Sequence, residues 1–201
     1  MKTELIMLAA GQSKRFNGIK QLADIQGQPM ICHCLSHYCQ GDKWINGITN
    51  GYVVLGSNAE SICKVLPANI NQFVVDSWPL GMGHSLAQSI QLIANDTTHI
   101  LICLADQVAL NQQLILKMLE QTSRFPNHII AASYANKVGV PAIFPRQYLS
   151  ELAQMTGDNG AKSLLQKYSQ QVLAVDMPEA AFDIDTIEDL NALLVKSRYV
   201  E

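Results

Sequence analysis

Short apolar runs alternate with amphipathic stretches along almost the whole chain, and this alternation constrains the fold more than any other feature. Six runs predict β-strands: Leu5–Ala10, Gly51–Leu55, Gln72–Val75, Ile100–Leu104, Ile129–Tyr134 and Val172–Val175. The stretches between them carry helical periodicity, over residues 28–40, 58–66, 83–94, 111–124, 159–168 and 186–196. Several runs are apolar without interruption, as in strands buried on both faces. The pattern predicts an α/β fold of three layers with a mainly parallel sheet.

Local signals refine this expectation. Asn58 and Asn111 stand where helix N-caps belong, and Thr186 is followed by acidic residues suited to a first helical turn. The stretch Ile129–Pro145, broken around Lys137–Pro141, predicts a hairpin-type excursion from the sheet.

The composition bounds the class of protein. The 201 residues are 48% apolar and 15% charged, which suits a single domain over residues 1–201. A net charge of −3 argues against a general nucleic-acid or membrane-surface binder. The first apolar run is too short for a signal sequence or a membrane span. Because five cysteines occur without such a signal, we expect a reduced, cytoplasmic setting.

The segment after the first predicted strand carries the clearest chemical signal. The strand ends in small residues and Gly11, which leaves backbone N–H groups free to bind phosphate. Arg15 can grip phosphates in bidentate fashion, and Lys20 adds a point charge on the same loop. A solvated turn is the plainer alternative, but open α/β sheets bind ligands at the carboxyl ends of their strands. The motif spacing predicts that Lys14 faces away from the phosphates.

A second segment, Trp78–Leu86, carries two glycines and a serine before an apolar helix. It lacks the third glycine of a dinucleotide fingerprint. The residues alone leave two alternatives open: a loop that holds a base or ribose through backbone contacts, and a turn with a helix N-cap.

Carboxylates end one strand and recur near the end of the chain. Asp106 follows the buried run Ile100–Leu104, where a carboxylate costs desolvation unless a cation compensates. Asp183 and Asp185 offer a second carboxylate, and residues 176–189 hold six acids and no base. Mg²⁺ typically takes one or two carboxylates together with water and substrate phosphate. These residues favour a Mg²⁺ site over the plainer role of a turn or capping aspartate.

The segment Cys32–Cys39, with three cysteines and two histidines, has the composition of a metal site. On a helix its side chains point to different faces, with Cys32 and Cys39 together on one, so four ligands do not converge. We expect these cysteines and histidines to pack in the core and on the surface and not to bind a metal.

Several motifs occur in a fixed order along the chain. They are L-A-A-G-Q-S-K-R with Lys20, G-M-G-H-S-L, L-A-D-Q, G-V-P-A-I-F-P, G-D-N-G-A and D-I-D-T-I-E-D-L. The set resembles the molybdenum cofactor nucleotidyltransferases, most closely the cytidylyltransferase branch, over roughly residues 4–194. The resemblance implies a Rossmann-like fold and Mg²⁺-dependent transfer of CMP from CTP to the phosphate of molybdopterin, with release of pyrophosphate. A recipient molybdoenzyme is the implied further partner.

The resemblance also implies roles for individual positions. The nucleotide would be lined by Leu8, Ala9, Ala10, Gly11, Gly81, Met82 and Ser85. The catalytic residues would be Arg15, Lys20 and Asp106, and the Mg²⁺ ligands Asp106 with Asp183 or Asp185. Ala10 stands where guanylyl-transferring relatives usually have a second glycine, which points to CTP.

The chain departs from the family pattern at Asn17, Asp76–Ser77 and Val108. It has no nucleophile elbow and no H-E-x-x-H motif. An attacking phosphate needs neither, because it is already anionic at pH 7.

Two alternative functions stay open: a guanylyl- or other nucleotidyltransferase with a sugar-phosphate-type acceptor, and a non-catalytic carrier of the molybdenum cofactor.

Overall fold

A computed structural model describes residues 1–197 of the protein. Seven strands form the main sheet: β1 Thr3–Ala9, β2 Ile48–Leu55, β3 Asn71–Val74, β4 His99–Leu104, β5 Ile129–Tyr134, β6 Lys137–Pro145 and β7 Val172–Asp176. Their order is β7-β5-β6-β4-β1-β2-β3. All pairings are parallel except those of β6, which runs antiparallel to β4 and β5. The predicted α/β fold with a mainly parallel sheet is confirmed.

Helices cover both faces of this sheet and complete three layers. They are α1 Met30–Ser36, α2 Ala59–Cys63, α3 Met82–Ser89, α4 Gln112–Arg124, α5 Leu149–Leu152, α6 Lys162–Lys167 and α7 Ile187–Ser197. β1 is buried throughout because its side chains alternate between two cores. Leu5 and Met7 pack with α1, α2 and α4, whereas Ile6 and Leu8 pack with α3, α5 and α6. No helix within residues 1–197 has both the length and the apolar character to cross a membrane.

Four of the predicted helices, α1, α2, α3 and α6, are shorter than their periodicity predicts, whereas α4 and α7 match the predicted ranges to within one residue. Around α1, turns cut into both ends. Before α1, residues Asp24–Ile25 pair with Gln28–Pro29 around a turn in which Gln26 and Gly27 both have positive φ. After α1, Cys39–Gln40 pair with Lys43–Trp44. Cys39 therefore lies beyond the helix, and the expectation that it shares a helical face with Cys32 is wrong.

The predicted hairpin over residues 129–145 forms, but the expectation that it leaves the sheet is wrong, since β6 pairs with β5 and lies inside the sheet between β5 and β4. Ala135 and Asn136 both adopt positive φ and turn the chain back within two residues. The register of β6 against β5 shifts between Gly139 and Ala142. This irregularity accommodates Pro141, which has no N–H to donate to the ladder.

Two of the three predicted helix caps form side-chain hydrogen bonds. Asn111 caps α4, since its side chain accepts a bond from Leu114 N at 3.1 Å. Thr186 and Asp189 form a reciprocal box at the start of α7: Thr186 N donates to Asp189 Oδ2 at 2.8 Å, and Asp189 N donates to Thr186 Oγ1 at 3.1 Å. Asn58 occupies the N-cap position of α2 as predicted, but it has a φ of 63° and its side chain makes no capping hydrogen bond.

Candidate active site

A cavity of about 390 Å³ opens at the carboxyl ends of β1 and β4, which are neighbouring parallel strands. All of the sequence-predicted site residues except Asp183 line it: Leu8, Ala9, Ala10, Gly11, Arg15, Lys20, Gly81, Met82, Ser85, Asp106 and Asp185. The fold thus brings segments from distant parts of the chain to one place, as expected for the open edge of an α/β sheet.

The loop after β1 is held in its course by Gln21, a residue that the sequence reasoning missed. The Gln21 amide nitrogen donates to Ala9 O at 3.1 Å and to Gly11 O at 3.3 Å. Its amide oxygen accepts from Ser13 Oγ at 3.2 Å. Gln21 is only 3% exposed, and its bond to Ala9 O is buried, whereas those to Gly11 and Ser13 are partly buried. Gln21 therefore fixes the backbone between the strand and Lys20.

Lys20 lies between two carboxylates that come from distant parts of the chain. Its Nζ donates to Asp106 Oδ2 at 2.8 Å and to Asp185 Oδ1 at 3.0 Å. Only 11% of the Lys20 side chain is exposed. Burial alone would lower the pKa of Lys20, but the carboxylates of Asp106 and then Asp185 outweigh burial and raise it above its usual value. Lys20 is therefore charged and links the segment that carries Asp106 to the segment that carries Asp185.

Arg15 reaches the same acidic side of the cavity. Its Nη2 donates to Asp185 Oδ2 at 2.6 Å, although 71% of the Arg15 side chain is exposed. Lys14 also lines the cavity, and Ser13 directly before it adopts a φ of 56°. That Lys14 points away from bound phosphates stays a prediction.

Backbone hydrogen bonds also join the segment around Asp106 to the segment around Asp185. Ile184 N donates to Asp106 O at 3.2 Å, and Gln107 forms an antiparallel bridge with Asp183. The Gln107 amide nitrogen donates to Val140 O at 2.9 Å and to Ala180 O at 3.0 Å, with the side chain 2% exposed. Gln107, which the sequence reasoning also missed, thus fixes the end of β4 against two other segments.

The carboxylates suit a divalent cation held by two protein ligands. Among residues 1–197, the buried Asp106 Oδ1 has no hydrogen-bond partner, and the ion-pair partner of Asp106 Oδ2 is Lys20. Within residues 1–197, no three His, Cys, Asp or Glu side chains are grouped to hold a metal. A pair of carboxylates is nevertheless enough for Mg²⁺, which completes its coordination with water and phosphate. Partial desolvation, followed by the nearby Asp106 and Asp185, raises the pKa of Asp183, which lies off the cavity.

The segment around Gly81 forms the predicted turn before a helix and also lines the cavity, while its contact with a base or ribose stays a prediction. Residues Trp78–Leu80 form a 3₁₀ turn, Gly81 precedes α3, and the same stretch lines the cavity. Gly81 has a φ of 109°, and a Cβ there would lie 2.5 Å from Asp158 Oδ1. A glycine is therefore required at this position by both conformation and space.

Comparison with known proteins supplies the family context. A family model described as the MobA-like NTP transferase domain matches residues 5–173. The bifunctional protein GlmU of Pseudomonas fluorescens strain Pf-5 is 30% identical over 123 residues, which cover 60% of this chain and 26% of that protein. The chain thus spans about a quarter of the length of this curated relative.

Solved structures resemble the whole chain. Rv0371c from Mycobacterium tuberculosis H37Rv matches with a TM-score of 0.81 and 26% identity, over 97% of this chain and 99% of that one. A complex of Rv0371c with manganese matches with a TM-score of 0.74 and 26% identity, over 96% and 98% of the two chains. The 4-diphosphocytidyl-2C-methyl-D-erythritol synthase of Anaerococcus prevotii shares the fold, with a TM-score of 0.74, 14% identity and 96% of each chain covered.

Proposed function

The chain belongs to the MobA-like NTP transferase domain family, and from this we propose that it transfers CMP from CTP to the phosphate of molybdopterin and releases pyrophosphate. The observation that carries the proposal is the single cavity in which the loop after β1, the Gly81 segment and the carboxylates of Asp106 and Asp185 meet. This arrangement offers cations for a triphosphate, space for a nucleoside and ligands for a divalent metal. The product would pass to a recipient molybdoenzyme.

The cations of the loop account for binding of the triphosphate. Arg15 and Lys20 reach into the cavity, and their present partners are carboxylates. When a triphosphate binds, they exchange these carboxylates for phosphate oxygens, which are equally good acceptors for charged N–H donors. Gln21 keeps the intervening backbone in place, so binding orders few additional groups.

The reaction needs alignment and charge neutralisation more than a general base. A phosphate oxygen of the acceptor attacks the α-phosphorus of CTP and forms a new P–O bond. The bond from that phosphorus to the bridging oxygen breaks, and pyrophosphate leaves with the electron pair. Because the attacking oxygen is already anionic, no proton has to be removed. Arg15 and Lys20 offset the charge that gathers on the leaving group.

Asp106 and Asp185 are the residues that would hold Mg²⁺. Asp106 brings a buried oxygen without a partner, and the backbone of Asp185 is fixed by a bond of 3.1 Å from its N–H to Asp189 Oδ2. When bound, the cation supplies charge stabilisation at the phosphate oxygens. The manganese complex of Rv0371c supports a divalent cation in this fold. Asp183 lies outside the cavity, so we propose Asp185 as the second ligand.

Ala10 supports the choice of CTP. Ala10, which directly follows β1, is 7% exposed and lines the cavity. A methyl group at this position holds a ligand away from the backbone, which suits the smaller pyrimidine better than guanine. Ala10 and the loop cations thus act on opposite parts of the same nucleotide.

The direct test is a transfer assay with purified protein, molybdopterin, Mg²⁺ and α-labelled CTP or GTP, alone and in competition. We expect the cytosine dinucleotide form of the cofactor and stoichiometric pyrophosphate, and neither product from a matched sample of Asp106→Asn. An excess of the guanine product would overturn the choice of CTP and leave nucleotidyl transfer standing.

The same assay separates the two alternative functions. If CTP is consumed only when a sugar phosphate replaces molybdopterin, the acceptor assignment fails. If the protein binds molybdopterin tightly but releases no pyrophosphate with either nucleotide, it is a carrier. The first result would contradict the proposed acceptor, and the second would contradict the proposed catalytic activity.

A further inference from the structure

The motif G-D-N-G-A, at residues 157–161, lies against the nucleotide segment, and its aspartate faces the cavity. Asp158 lines the cavity together with Trp78, Pro79 and Met82. Its carboxylate stands directly over Gly81, where a Cβ would lie 2.5 Å from Oδ1. No contact assigned so far in the proposed reaction uses this carboxylate.

Backbone bonds hold this segment in place. Gly83 N donates to Gly157 O at 2.7 Å, and Gly157 N donates to His84 Nδ1 at 3.1 Å. A Cβ at Gly83 would lie 2.6 Å from Thr156 O, so the two segments touch through their main chains. Gly157 itself has a φ of 65°, which a residue with a side chain rarely adopts. The position of Asp158 is therefore set by the start of α3.

The charge of Asp158 decides which part of a nucleotide it can meet. A carboxylate repels phosphates, and the triphosphate has its cations at Arg15 and Lys20. The nucleoside must then lie toward the side formed by Trp78, Gly81 and Asp158. In the part of the chain that the structure describes, no cation pairs with Asp158. Its oxygens are free to accept hydrogen bonds from a ligand.

We propose that Asp158 determines base specificity by accepting a hydrogen bond from the exocyclic amino group of the nucleobase. This inference rests on the proposed function. An ionised carboxylate only accepts hydrogen bonds, so it favours the 4-amino group of cytosine and disfavours the O4 of uracil at the same place. Guanine also carries an amino group, so Asp158 selects for the amino group while Ala10 selects for size. Of the common nucleotides, CTP satisfies both.

Nucleotide binding without acceptor tests the inference separately from transfer. The affinities of CTP and UTP, each with Mg²⁺, are measured by calorimetry for the native protein, for Asp158→Asn and for Asn159→Ala as the matched control from the same segment. We expect the native protein to bind CTP at least about tenfold more tightly than UTP. Asp158→Asn should weaken CTP, strengthen UTP through its amide N–H, and shrink the ratio about tenfold or more. Asn159→Ala should leave the ratio unchanged.

Other outcomes overturn the inference. An equal loss of CTP and UTP affinity in Asp158→Asn would place the carboxylate on the ribose, and 2′- and 3′-deoxy-CTP would then bind the native protein poorly. An unchanged ratio would also exclude base reading. If the native protein binds no nucleotide, the proposed function fails and the inference fails with it. If the ratio moves as expected but molybdopterin is not cytidylylated, the inference stands and only the acceptor is wrong.

Discussion

Replacing Lys20 with Met should change the affinities for metal and for nucleotide in opposite directions. The Lys20 ammonium occupies the space between Asp106 Oδ2 and Asp185 Oδ1, at 2.8 and 3.0 Å. A divalent cation that uses these two carboxylates must displace it. In the proposed reaction CTP, by contrast, gains Lys20 as a phosphate ligand. Lys20→Met therefore removes a competitor of the metal and a partner of the nucleotide at once.

The magnitude follows from the burial of the site. Because the Lys20 side chain is 11% exposed, its loss leaves the Asp106 carboxylate unpaired and Asp185 paired with the largely exposed Arg15, at a cost of about 3 kcal/mol in unfolding free energy. For a chain of this size the Tm should fall by roughly 6–12 °C in the absence of metal. The carboxylates no longer have to release a lysine, so Mn²⁺ should bind about 10- to 100-fold more tightly. CTP should bind more weakly by about 1.5–3 kcal/mol, one charge-assisted contact.

The assay measures Mn²⁺ binding by calorimetry without nucleotide, CTP binding with Mg²⁺, and Tm with and without Mn²⁺. The control is Lys117→Met, an exposed lysine on α4 outside the cavity. Mn²⁺ should restore most of the lost Tm in Lys20→Met, because a ligand that binds the native state raises its stability. If Lys20→Met binds Mn²⁺ no more tightly than Lys117→Met does, Lys20 does not compete with a metal for Asp106 and Asp185.

Four further predictions concern single residues. Asp106→Asn should keep its Tm within a few degrees but lose most turnover that depends on Mg²⁺; normal turnover at saturating Mg²⁺ would remove Asp106 from the metal site. Arg15→Ala should weaken CTP binding by about 1.5–3 kcal/mol in calorimetry. Lys14 lines the cavity but forms no ion pair within residues 1–197, so Lys14→Ala should weaken CTP binding by less; the reverse order would contradict the assigned roles. Ala10→Gly should narrow the preference for CTP over GTP in kcat/KM by about 1–3 kcal/mol without inverting it, as read from competition assays; a wider gap would refute the steric argument. Burial, followed by the neighbouring His33, lowers the pKa of His37 to about 4 from an unfolded value near 6.5. The folded state thus resists protonation of His37, and this contribution to stability, present above pH 6.5, is lost as the pH falls through 4. Between pH 7 and 5 it should cost about 2 kcal/mol in denaturant unfolding, and His37→Gln should lack that part of the pH dependence.

The elements that could be predicted from sequence are those whose pattern is local. β1 and β4 are continuous apolar runs, and both lie in the sheet as expected because each is buried on two faces. The return strand β6 was misplaced because Gly139 and Pro141 interrupt its pattern. Its place in the sheet depends on pairing with β4, where Ala142 and Ile143 oppose Ile102 and Leu101. The periodicity of β6 alone does not predict this pairing.

The candidate site shows the same division between local and distant information. The positions of the loop after β1 and of Asp106 at the edge of the sheet could be predicted from the sequence, because each follows a recognisable strand. Gln21 and Gln107 could not, since their partners lie 12 residues away at Ala9 and 73 residues away at Ala180. The positive φ of Ser13, 56°, is likewise not signalled by the residues around it.

The ion pairs of Lys20 also bear on how the site assembles. Without ligands, Asp106 and Asp185 are neutralised by Lys20, and Asp185 also by Arg15. A metal ion alone would have to expel these cations into water, whereas a nucleotide with its metal supplies phosphates for the cations and the metal for the carboxylates together. The exchange then leaves no charge unpaired in a cavity where unpaired charge is costly. The arrangement of Lys20 therefore favours joint binding of nucleotide and metal over binding of either one first.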